Sequence, residues 1–102
     1  MRYEVHTGEQ AFDAIRQAAR YIAVDCQSPL NAKRWLERLW DKIDDLEEMP
    51  RRFAVDEVYT RRVDHPTHKM VFGRYLVFYQ VDEQGQRVDI VDFVAGARRT
   101  EA

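Results

Sequence analysis

Residues 70–94 read M-V-F-G-R-Y-L-V-F-Y-Q-V-D-E-Q-G-Q-R-V-D-I-V-D-F-V. Two runs rich in Val, Ile, Phe and Tyr flank a polar interval, residues 82–87, that contains Gly85. β-Branched and aromatic side chains suit a pleated, half-buried surface, and a short Gly-containing interval between two such runs predicts a β-hairpin with a medium-length loop. Gly73 interrupts the chain just before the first run. Residues 67–72 therefore read as a further strand, joined by a tight turn at Gly73 and Arg74. Strands this apolar need a cover, and the two long segments upstream are the candidates to supply it.

Working outward, Pro50 and Ser28-Pro29 bracket a segment in which Ala32, Trp35, Leu36, Leu39, Ile43 and Leu46 recur at helical intervals. Ser28 is placed as N-cap and Pro29 at the first helical position, where its missing N–H costs nothing. Pro50 stops the helix near Glu48 or Met49. Earlier, Phe12, Ile15, Ala19 and Ile22 form a second stripe, widened by Ala11, Ala18 and Tyr21. Thr7 and Gln10 have capping-box spacing, so the first helix is expected over residues 8–24. The connection at residues 25–27 is short enough to make the helices an antiparallel pair. Residues 2–6 alternate, with Tyr3 and Val5 on one face, and read as a first strand.

Residues 51–66 carry no clear period. Residues 58–63 fit either an edge strand or a loop pinned by Tyr59. The second helix is basic early (Lys33, Arg34, Arg38) and acidic late (Asp41, Asp44, Asp45, Glu47, Glu48). Acid at a helix C-terminus opposes the macrodipole. The plain reading is a solvated face neutralised by Arg51 and Arg52, and the sharper one is a docking face for a basic partner.

The expected fold is α+β: a two-layer sandwich, β-α-α-β-β-β(-β) with two to four late strands, and with a helical hairpin on one face of a mainly antiparallel sheet. The opposite face and the C-terminal tail are then free to engage another macromolecule. At 102 residues, 45% of them apolar and 33% charged, the chain is expected to form one domain, residues 1–102. It contains no apolar run long enough to span a membrane and no signal-peptide h-region. The lone Cys26 cannot form an internal disulfide, which fits a cytoplasmic protein. The net charge of −2 argues against bulk, charge-driven nucleic-acid binding.

Several pieces in order resemble the RelE/ParE toxin superfamily of plasmid-stabilisation toxins. They are Tyr3-Glu4-Val5 with Thr7, Ala11-Phe12-Asp13-x-Ile15, Arg20-Tyr21-Ile22, and the second helix from Ala32 to Met49-Pro50. The remainder are the strand 69–82 and the finish Val88-x-Ile90-Val91-x-Phe93-Val94-x-Gly96-Ala97-Arg98. The resemblance spans nearly the whole chain. It implies the toxin half of a type II toxin–antitoxin pair, neutralised by a cognate antitoxin. The long helical hairpin favours the ParE-like branch, whose members inhibit DNA gyrase, over the RelE-like branch, whose members cleave mRNA on the ribosome. A third reading is a family member that has lost toxicity and persists as an antitoxin-binding protein. Two positions depart from the family pattern: Ala95 stands where the family has His, and Asp92 where it usually carries Arg. Both changes remove groups that favour phosphate or RNA.

Cleavage through a ribose hydroxyl needs a base, an acid and a cation. The candidates are Lys69, Arg74, Tyr79 and Arg98. Lys69 and Arg74 flank the tight turn, where their charges are expected to converge. The plainer reading makes them edge charges that discourage strand-to-strand aggregation, and makes Tyr79 a core residue. Trp40, Arg74, Arg98 and Arg99 are the candidates for contact with a target or partner. Trp40 lies on the flank of its helix, where it either packs under the 51–63 segment or meets a partner. His65 and His68 have i, i+3 spacing, but the Pro66 between them does not fix both rings on one face, so no metal is expected. His68, just before a strand, is a weaker acid–base candidate. No cofactor motif is present.

Overall fold

The computed structural model of the chain describes residues 2–96. It contains strand β1 (Glu4–Thr7), helix α1 (Glu9–Arg20), a π-helical turn (Tyr21–Asp25) and helix α2 (Pro29–Asp44). A 3-10 turn (Asp45–Glu47), helix α3 (Glu57–Val63), and strands β2 (His68–Phe72), β3 (Tyr75–Asp82) and β4 (Arg87–Ala95) complete it. The four strands form one mixed sheet in the order β1-β4-β3-β2. β2, β3 and β4 are antiparallel neighbours, and β1 joins β4 in parallel. This is the expected α+β arrangement, with the helical hairpin carrying the chain back across the sheet.

Helix α1 starts one position later than the capping box implies. Gly8 is its N-cap and makes no side-chain cap. The Gly8 N–H donates to the carbonyl of Ile90 at 2.9 Å, which ties the helix start to β4. Pro29 opens α2 as expected, although Ser28 makes no side-chain cap. Ala11, Ile15, Leu39, Ile43 and Leu46 pack on Met70, Val77, Tyr79, Val88, Ile90 and Phe93 to form the core. Trp35 meets Phe72, Tyr75 and Phe93 edge-on, with ring centroids 5.8, 5.6 and 5.9 Å away. Two stripe residues behave otherwise. Tyr21 is exposed, because it lies on the flank of α1 where the π turn begins. Phe12 is only half covered and stacks on Trp40.

The segment read as an edge strand or a pinned loop is the short helix α3. The Asp56 carboxylate caps it, accepting the Tyr59 N–H at 2.9 Å. Asp64, in the left-handed region at φ 56°, ends it. α3 lies on the face of the sheet opposite α1 and α2. Side chains alternate along β3, so Val77 and Tyr79 face the hairpin while Phe78 faces away. Tyr59 stacks on Phe78 with centroids 4.4 Å apart, and both rings are buried. The back face is therefore partly covered by the chain itself, in contrast to the expectation of an open face.

The acidic end of α2 is held by other means than expected. Arg2 pairs with Glu47 and Glu48, and Arg51 pairs with Glu83. Arg52 donates to the carbonyls of Asp45 and Met49, which satisfies helix-end acceptors.

Candidate partner-binding surfaces

A bulge in β4 decides which groups are available. Tyr79 pairs with Ile90 and Phe78 with Asp92, so Val91 is an extra residue in β4. Beyond the bulge the strand alternation is re-phased. The Gly96 N–H meets the Arg74 carbonyl at 2.6 Å. Counting back by two, Val94 and Asp92 direct their amides to β3, and Phe93 and Ala95 direct theirs to the other edge, where the Phe93 N–H is taken by the Asp92 carboxylate. β1 pairs only with residues 87–90, and among the described residues no strand covers this edge beyond Ile90. A sheet edge with free N–H and C=O groups is a template for an added strand.

A hollow of about 430 Å³ opens at this edge. Ala14 and Ala18 of α1 line one side. Tyr75, Phe93 and Ala95 of the sheet form its wall, and Arg62 of α3 reaches in from the opposite face. The small alanines, one helical turn apart, leave the space that a longer side chain would fill. The Arg62 guanidinium lies 4.9 Å above the Tyr59 ring, and among the described residues it forms no ion pair. The site thus combines apolar walls, a cation without an ion-pair partner among the described residues, and the edge-facing backbone of Ala95 and the Phe93 carbonyl.

Asp92 sits beside this edge, buried to 9% exposure rather than on an open face. Its Oδ2 accepts the Tyr59 hydroxyl at 3.1 Å, and its Oδ1 accepts the Phe93 N–H at 2.9 Å. Burial, followed by the nearby Asp92 charge, raises the Tyr59 pKa above its ordinary value of 10.0.

The structure disperses the residues considered for chemistry. Lys69 is on the back face, its Nζ 3.5 Å from Asp56 Oδ1. Arg74 is exposed at the turn where Gly73 takes φ 58°, and Lys69 is turned to Asp56 instead of joining it. Tyr79 is fully buried and donates to the Pro50 carbonyl at 2.7 Å; burial pushes its hydroxyl pKa up to about 12. His68 stacks on Tyr79 with Nδ1 2.7 Å from the Phe53 carbonyl oxygen, so its ring braces the 51–55 segment. Trp40 stacks on Phe12 of α1, centroids 6.3 Å apart, and packs against the core. Arg98 and Arg99 lie outside the described residues. Among the described residues no three His, Cys, Asp or Glu side chains are placed to hold a metal ion. No described helix is long and apolar enough to cross a membrane.

Sequence reasoning did not single out Ala14, Ala18, Tyr59 or Arg62 as a group. The Asp56-Glu57 pair was a legible helix start, but the joining of α1 and α3 around one edge depends on the sheet order.

No match was found among curated proteins. The family model of the ParE toxin of the type II toxin–antitoxin system parDE matches residues 5–100. That span includes every helix and all but the first residue of the first strand. With the helical hairpin on the four-stranded sheet and this match, the chain belongs to the ParE toxin family of type II toxin–antitoxin systems.

Proposed function

We propose that the protein is a toxin that acts in the cytoplasm by binding a protein target, DNA gyrase, and performs no chemistry itself. The observation that carries this reading is the dispersal of the groups RNA cleavage would need. Lys69 is paired with Asp56, Tyr79 is sealed in the core, and Tyr59 and Asp92 occupy the back of the sheet. A buried carboxylate beside the back face also disfavours a phosphate backbone there.

A cognate antitoxin neutralises the protein by laying an extended segment along the free edge of β4. Main-chain bonds to the Phe93 carbonyl and to Ala95, an aliphatic side chain against Ala14 and Ala18, and a carboxylate on Arg62 describe that segment.

Two assays test the reading. Purified protein is expected to inhibit gyrase supercoiling, with relief on adding antitoxin, and to leave mRNA on translating ribosomes intact. Cleavage at ribosome-bound codons would overturn it. Inertness towards both gyrase and ribosomes, with antitoxin binding retained, would mark a non-toxic antitoxin-binding member.

A further inference from the structure

The bend between α1 and α2 carries apolar surface that the core does not use. Tyr21 is 53% exposed, Val24 61% and Leu30 58%. Tyr21 and Val24 lie in the π-helical turn, which contains no buried residue. Its wider register is set by the Cys26 N–H on the Tyr21 carbonyl at 3.1 Å, and the Ser28 N–H on the Ile22 carbonyl at 3.2 Å closes the bend. Single π turns interrupt a better hydrogen-bond register and recur at functional sites. Tyr21 and Val24 line an open hollow of about 320 Å³ with Gln17, Arg20 and Asp25. Arg16 adjoins it through Gln17 and Arg20.

The charge around this end is opposite to that of the whole. From Arg20 to Arg38 there are four cations, Arg20, Lys33, Arg34 and Arg38, against two carboxylates, Asp25 and Glu37, although the chain carries −2 overall; Arg16 beside them is paired with Asp13. Exposed apolar side chains rimmed by like charges mark a protein-interaction surface, and Tyr and Arg are the residue types that anchor such contacts. A second copy of the chain would set the same cations against each other across a two-fold axis.

We propose that this end of the hairpin is the surface that meets the target. Its occupant is an acidic protein surface whose apolar side chains cover Tyr21 and Val24. The proposal rests on the protein-binding reading above and adds the location and chemistry of the contact. Acidic complementarity speeds encounter and fixes orientation, and cover of the Tyr21–Val24 pair supplies the short-range attraction.

The test uses the full chain and purified gyrase. Arg20→Glu and the double variant Tyr21→Ser/Val24→Ser are each expected to raise the concentration for half-inhibition of supercoiling by about tenfold or more, as loss of an interface anchor does. Arg20→Lys is expected to restore inhibition to near the wild-type level. Antitoxin affinity, sedimentation and far-UV circular dichroism are expected to stay unchanged, since all substituted groups are exposed. Wild-type inhibition with unchanged potency in both variants overturns the inference alone. Parallel loss of antitoxin binding, or a change in self-association, assigns the surface to another occupant and overturns it too. A wild-type protein inert on gyrase overturns the underlying reading together with this one.

Discussion

The Tyr59 hydroxyl donates to Asp92 Oδ2 at 3.1 Å across 33 positions of sequence, and this bond joins α3 to β4 at the point where the sheet edge becomes free. Asp92 accepts the Phe93 N–H through its other oxygen, so one buried carboxylate serves both the back face and the edge.

Tyr59→Phe keeps the stack on Phe78 but removes one donor from a buried carboxylate. A hydrogen bond to a charged group contributes about 1.5–3 kcal/mol, so a loss in that range is expected in urea unfolding. Asp92→Asn cannot accept at both positions and should lose a similar amount. Because the two residues share one bond, the double variant should lose less than the sum of the singles. Additive losses would show that the contact contributes nothing of its own.

Tyr79 makes stability depend on alkaline pH. Its pKa is raised from 10.0 to about 12 in the folded protein, because burial penalises the phenolate. The stabilisation is complete below the unfolded value and falls as pH rises towards the folded value. Between about pH 10 and pH 12 the unfolding free energy should drop by about 2–3 kcal/mol from this group. Tyr59, also raised, acts in the same direction. Tyr79→Phe loses the Pro50 hydrogen bond at every pH, worth about 1 kcal/mol, and should flatten the alkaline slope. An equally steep slope in that variant would rule the assignment out.

The two tryptophans should respond differently. Trp35 touches three aromatic rings from three strands, and Trp35→Ala should cost about 3–5 kcal/mol. Trp40 stacks on a half-exposed Phe12, and Trp40→Ala should cost clearly less. Chemical denaturation of the two single variants checks the order, and equal losses would contradict it.

Arg62→Glu places a carboxylate in the groove at the β4 edge. Within the folded chain Arg62 stacks on the Tyr59 ring, worth about 0.5–1 kcal/mol at an exposed site, and interacts with its hydroxyl. Antitoxin affinity is expected to fall by about tenfold or more, through the lost ion pair and like-charge repulsion. Gyrase inhibition by the free protein should persist. Calorimetric titration with the antitoxin reads the first effect, and unchanged affinity would place the antitoxin elsewhere.

The sheet and the hairpin were legible because their signals are local. Alternating Val, Ile, Phe and Tyr, Gly73 at a positive-φ turn, and Pro29 at a helix start act on neighbours within a few residues. The stripe from Ala32 to Leu46 marked the buried face of α2 and of the 3-10 turn after it by period alone. The 51–66 segment was legible only at its Asp56-Glu57 helix start, since α3 is anchored through Tyr59 on Phe78 and Asp92, partners far along the chain. Lys69 and Arg74 looked adjacent in sequence, yet whether a charge is free depends on what lies opposite it, and Asp56 lies opposite Lys69.

From the residues alone came an α+β chain with a helical hairpin over an antiparallel ribbon, because hydrophobic period and turn chemistry are properties of adjacent positions. Only the tertiary structure decided that β1 is too short to cover β4, that a bulge at Val91 points the backbone of Phe93 and Ala95 to the open edge, and that α3 closes part of the back face. Those outcomes depend on strand order and register, which no single segment encodes and which follow from how the segments compete to bury the same apolar surface.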